Sequence, residues 1–120
     1  MDFKTFREYC LNKPGVFECF PFDEETLVFK VISKMFALTN INREQLHINL
    51  KCEPEMAEDL RNSFEAVKPG YHMNKRYWNT VACDGTISDD QLFWLIDISY
   101  NLVVKGLKKA EKEQLAALSK

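Results

Sequence analysis

The chain has 120 residues, 46% hydrophobic and 28% charged, with a formal net charge of −2 and a pI of 5.7. A chain of that size and make-up folds as one globular domain, burying roughly two thirds of its unfolded surface, and falls outside the disordered class. No apolar run approaches the roughly 18 residues of a membrane span, residues 1–8 lack a signal peptide's apolar core, and a near-neutral balance excludes a general polyanion binder. A cytoplasmic monomer is the expectation. Contact with nucleic acid would have to come from local charge.

In chain order, Asp2 to Asn12 reads as a short helix with Phe3, Phe6 and Cys10 on one face, stopped by Pro14 and Gly15. Residues 16–22 are aromatic but interrupted by Pro21, which suits an edge piece or a packed loop. Asp23, Glu24 and Glu25 read as a solvated turn. Leu27–Ile32 and Met35–Thr39 read as two strands of a hairpin joined through Ser33 and Lys34. Leu46–Lys51 alternates cleanly, with Leu46, Ile48 and Leu50 inward and His47, Asn49 and Lys51 on a wet face. His47 is read there as a solvent-facing residue. Pro54 opens a helix to about Phe64, striped by Ala57, Leu60 and Phe64. Tyr77–Cys83 reads as a further strand. Ser88 and Gln91 form a capping box, opening a helix that runs to at least Leu107. The alanine-rich run to Lys120 either extends this helix or frays. The order helix, antiparallel meander, helix, strand, helix gives an α+β fold with helices packed on an antiparallel sheet, as a single domain over residues 1–120.

Cys10, Cys19, Cys52 and Cys83 are widely spaced and never form a close pair of zinc ligands, so they read as reduced, mostly buried small hydrophobes. The densest collection of functional side chains lies at residues 67–80. Ala66 to Cys83 contains no acid and three cations, Lys68, Lys75 and Arg76. Thr26 to Arg43 is likewise acid-free, with Lys30, Lys34 and Arg43. Pro69 and Gly70 fit the centre of a type II turn that presents Tyr71 to Arg76 near the surface.

Several blocks of the chain together resemble one known family. Phe20–Phe22, Lys34–Leu38, Leu50–Pro54, Lys68–Lys75, Tyr77–Thr80 and Asp97–Val103 resemble, in order, the blocks of MmcQ/YjbR-like proteins, across about three quarters of the chain. The resemblance implies a small bacterial cytoplasmic protein with a compact fold similar to that of CyaY and other frataxin-like proteins. It also implies DNA binding through a double-wing arrangement. It brings no catalytic residues with it.

The expected function is accordingly non-enzymatic DNA binding by a face built from Lys34, Lys68, Tyr71, His72, Asn74, Lys75 and Arg76. The cations there would neutralise phosphates, and Tyr71, Asn74 and Asn79 would reach sugar or base edges. The alternative is a protein- or small-anion-binding module using a pocket at Pro69, Gly70, Tyr71 and His72. An enzyme centred on His72 is disfavoured, because no carboxylate nearby in sequence orients the ring and no nucleophile accompanies it. No phosphate-cradling glycine motif occurs. The acids at residues 23–25 and 53–59 read as surface charge near helix starts, so neither a metal nor a cofactor is expected.

Overall fold

The computed structural model describes residues 1–118. Its elements are α1 (Phe3–Leu11), β1 (Val16–Cys19), β2 (Thr26–Val31), β3 (Lys34–Asn40), β4 (His47–Lys51), α2 (Pro54–Ser63), β5 (Val67–Pro69), β6 (Trp78–Ala82), α3 (Asp89–Lys105) and α4 (Lys109–Leu118). The strands form one six-stranded antiparallel sheet in the order β1-β2-β3-β4-β6-β5. This is the α+β architecture that the alternating pattern predicts.

Residues directly opposite one another in a sheet point to the same side. Leu27 faces Thr39, Thr39 faces Ile48, Ile48 faces Val81 and Val81 faces Val67. That row and its neighbours Phe29, Ala37 and Leu50 meet Phe6 and Cys10 of α1 and Leu92, Ile96 and Val103 of α3 in the main core. The Phe6 and Phe29 rings meet edge to face at 5.3 Å. The other row (Val28, Leu38, Asn49, Thr80, Lys68) lies on the opposite side of the sheet, which carries no helix among the described residues.

A bulge adjusts the pattern where β2 meets β3. Phe29 pairs with Ala37 and Lys30 with Met35, leaving Phe36 without a partner. Phe36 and Ala37 therefore both reach the core, fully buried. The bulged carbonyl is not orphaned: buried Ser99 of α3 donates its hydroxyl to Phe36 O at 2.5 Å and accepts the Lys51 N–H at 2.8 Å. One hydroxyl thus fixes α3 against two strands. At its other end, α3 opens with the expected capping box, Ser88 with Gln91.

Four local expectations are corrected. The β2–β3 turn falls at Ile32 and Ser33, with Ile32 at φ +57, so Lys34 already belongs to β3. Residues 67–69 form a strand, because Pro69 sits at its end opposite Asn79 and needs no ladder N–H there. Pro69 and Gly70 do not make a type II turn; the left-handed residue is His72, at φ +59. Lastly, α3 stops at Lys105 instead of continuing to Leu107, and α4 follows as a separate helix. Leu115 of α4 is buried, and a Cβ on Gly15 would lie 2.7 Å from its Cδ1. Ser119 and Lys120, the end of the expected tail, lie outside the described residues.

Candidate functional site

The segment from Gly70 to Tyr77 leaves β5, folds over the open side of the sheet and returns as β6. It is tightly tied down. Gly70 N–H donates to Trp78 O at 2.8 Å, and Asn74 O accepts the N–H groups of Tyr77 and Trp78. The Asn74 side chain accepts the Arg76 N–H at 3.0 Å, and Lys75 Nζ donates to Gly70 O at 3.1 Å. From beneath, Arg61 of α2 donates to Asn79 Oδ1 at 2.6 Å and to the carbonyls of Lys75 and Trp78. Asn79 in turn donates to Ala57 O at 3.2 Å. Its side chain is buried on the helix side and cannot reach a ligand, which corrects the expectation that it reads sugar or base.

Trp78 is buried, but not against the helices. It packs with Val28 and Leu38 in a small second core on the open side, closed over by Met73 and Tyr77. Lys51 Nζ lies 5.7 Å and Arg76 Cζ 5.9 Å from the Tyr77 ring centre, a cation–π arrangement that holds two charges beside one aromatic.

The seven predicted site residues do not form one cluster. Lys68 and Tyr71 line a common groove, with Tyr71 72% exposed. His72 is exposed, its ring 4.0 Å from that of Tyr71. Asn74 and Lys75 brace the loop as described, and Arg76 is exposed beside Tyr77. Lys34 stands apart. It donates to Gly106 O at the C-terminal end of α3, at 3.0 Å, three strands away from β5 and so about 14 Å across the sheet.

The groove encloses about 450 Å³ and is lined by Asn40, Arg43, His47, Asn49, Lys68, Pro69, Tyr71 and Thr80. Among the described residues, no carboxylate lines it. A neighbouring depression of about 680 Å³ shares His47, Lys68 and Thr80 but adds Glu65 and Asp84. Sequence reasoning set His47 aside and overlooked Asn40 and Asn49 as site residues. Their signal was the polar half of the alternating strand, which becomes a site only when the order of strands is known.

Burial also settles what the cysteines can do. Cys10, Cys52 and Cys83 are buried and unpaired, and loss of water pushes the thiols of Cys52 and Cys83 up to about 11 and that of Cys10 further. Such thiols stay protonated and unreactive near neutrality. Among the described residues, no three His, Cys, Asp or Glu side chains converge as a metal site, and no helix is long and apolar enough to cross a membrane.

Fold and face define a small α+β module with one sheet surface sealed by helices and the other open and carrying cations. The chain belongs to the YjbR family, whose model matches residues 11–102. It is 33% identical over 118 residues to the uncharacterized protein YjbR of Escherichia coli strain K12, covering 98% of this chain and all of that one. It is 38% identical over 112 residues to the uncharacterized protein YbdF of Escherichia coli O157:H7, covering 93% and 92% of the two chains. A crystal structure of a Deinococcus radiodurans protein with the domain DUF419 superposes with a TM-score of 0.87 at 45% identity, over 94% of this chain and 86% of that one. A crystal structure of a Pseudomonas syringae protein gives 0.73 at 28% identity, over 85% and 98%.

Proposed function

We propose that this protein binds DNA through the open side of its sheet, as a cytoplasmic monomer that catalyses no reaction. The observation that carries the reading is the distribution of strand charge. By register, Lys30, Lys51 and Lys68 all point to the open side, and no strand carboxylate does. The one acidic strand residue, Glu18, is turned to the helix side, where Arg7 holds it. Arg43, Lys75 and Arg76 add to the same side from loops. Half of the eighteen acids lie instead on helices, among them Glu55, Glu58 and Asp59 of α2 and Asp89 and Asp90 of α3. A net charge of −2 is therefore compatible with a local positive surface. In the double-wing reading, the hairpins β2–β3 and β5–β6 flank that surface as the wings of a CyaY-like sandwich.

Phosphate neutralisation releases counterions, so the expected behaviour is a steep dependence on salt. With about three to six phosphates engaged, log affinity against log salt falls with a slope between about −3 and −5. Binding of about micromolar strength or weaker at physiological salt suits so few contacts. Fluorescence anisotropy of a labelled duplex reads both quantities. Lys68→Ala and Arg76→Ala should each make the slope shallower by about one and weaken all sequences alike. No binding at low salt, or binding without a salt slope, rules the proposal out.

A further inference from the structure

Hydrogen-bond accounting in the Arg43–Lys68 groove leaves a surplus of donors. Asn40 Oδ1 accepts the Asn42 N–H at 2.9 Å, which leaves its Nδ2 group free. Asn49 Oδ1 accepts the Thr80 hydroxyl, leaving a second free Nδ2 group, and Thr80 Oγ1 accepts the Tyr71 N–H at 3.0 Å. His47 Nδ1 lies 3.0 Å from Gln45 O; a carbonyl only accepts, so the proton of the neutral ring sits on Nδ1 and Nε2 is an acceptor, outside the donor surplus. Arg43 and Lys68 add charged donors with no carboxylate partner among the described residues. The side-chain amide and hydroxyl oxygens of the groove wall are thus occupied, apart from the exposed Tyr71 phenol. A cavity with that balance complements an oxyanion. The neighbouring depression, with Glu65 and Asp84, does not.

The volume, about 450 Å³, falls in the range of small-molecule sites, roughly 300–1,000 Å³. Tyr71 stands at its edge, largely in solvent, with the His72 ring 4.0 Å away and tilted by 50° against it, which leaves much of the Tyr71 ring open. Exposed aromatics beside phosphate donors are the arrangement on which single nucleotides stack.

We infer that the groove between Asn40, Arg43, Asn49 and Lys68 receives the phosphate of a single nucleotide unit whose base lies against Tyr71. The inference rests on the reading of the open side as a DNA surface and narrows it to an unpaired nucleotide, since a base within a duplex is not free to stack on a side chain. A free nucleoside monophosphate and the 5′-phosphorylated end of a strand present the same chemistry.

The test is a set of ¹H–¹⁵N spectra of the full chain titrated with 5′-AMP, with adenosine, and with a short deoxyadenylate strand carrying either a 5′-phosphate or a 5′-hydroxyl. 5′-AMP should move the signals of Asn40, Asn49, Tyr71 and Thr80, including both asparagine side-chain amides. Adenosine should bind at least about tenfold more weakly, for want of the charged hydrogen bonds. Asn49→Asp keeps the shape and brings a negative charge into the groove, while Arg43→Ala removes an exposed cation. Each should weaken 5′-AMP about tenfold with the rest of the spectrum unchanged. Lys109→Ala, exposed on α4 and away from the open side, should not. A phosphorylated strand binding several-fold more tightly than 5′-AMP identifies a strand end as the source, and equal affinity identifies the free nucleotide. The inference is overturned if 5′-AMP moves no groove signal, or if both groove variants bind it as the parent does. Salt-dependent duplex binding without a 5′-AMP response removes the groove alone. Absence of both responses removes the DNA reading as well.

Discussion

Gly70 is a glycine for lack of room. Its φ is not in the left-handed region, but a Cβ there would lie 2.8 Å from Trp78 Cβ and 2.9 Å from Trp78 O, next to the hydrogen bond that closes β5 onto β6. The carbonyl belongs to backbone held in a strand and has nowhere to go. Gly70→Ala should therefore cost about 1–3 kcal/mol, the usual range for forcing an extra methyl into a packed site, read as a lower urea midpoint with unchanged slope. An unchanged midpoint would mean that the loop yields easily and is not the rigid platform described here. Asn74 and Lys75 hold the same loop with their own side chains, so substituting them tests the platform more than any ligand contact.

Among the helices, α1 is coupled to the edge strand β1 by Arg7 and Glu18. Arg7 Nε donates to Glu18 Oε2 at 2.7 Å and a second guanidinium nitrogen donates to Oε1. The hydrogen bond from Arg7 holds the Glu18 carboxyl below the usual carboxylate range. A carboxylate whose pKa is lowered by folding stabilises the protein above its unfolded pKa, and that contribution disappears as pH falls through the folded value. Glu18→Gln should accordingly be less stable than the parent at pH 7, and the difference should close on acidification below about pH 4. The pair is partly exposed, so the effect is modest and should shrink with salt. Thermal midpoints from pH 3 to 8 measure it; a difference that stays constant across this range would show that the substitution acts through packing and not through charge.

At the scale of the whole molecule, the legible parts of the sequence were those in which one element reports on itself. The alternation of Leu46–Lys51 and the capping box at Ser88 each need only neighbouring residues, and both are present. What could not be read locally was whatever depends on strand order. β5 is three residues long and lies inside a basic, proline-containing stretch that looks like loop. Lys34 and Lys68 both lie in acid-free windows, a pattern that predicts one patch, yet Lys34 is drawn to the end of α3. Conversely Asn40, Arg43, His47 and Asn49 come from β3, its following loop and β4, and they meet Lys68 and Tyr71 only because β6 inserts between β4 and β5. The separate helix α4 was hidden for the same reason: Leu115 has a place to pack only once Gly15 and Ile32 are brought beneath it.

The claim at the centre of this account is that one side of the sheet, and not the overall charge, holds DNA. Two double variants with the same net charge separate these possibilities. Lys30→Glu with Lys51→Glu reverses two charges on the open side; Lys4→Glu with Lys109→Glu reverses two on helices α1 and α4. Anisotropy titrations with one labelled duplex, at one low salt concentration, compare them with the parent. The account predicts that the open-side pair weakens binding by about a hundredfold, at roughly tenfold per reversed contact, while the helix pair changes it by less than about threefold. Equal losses in the two variants, or a larger loss in the helix pair, would contradict it.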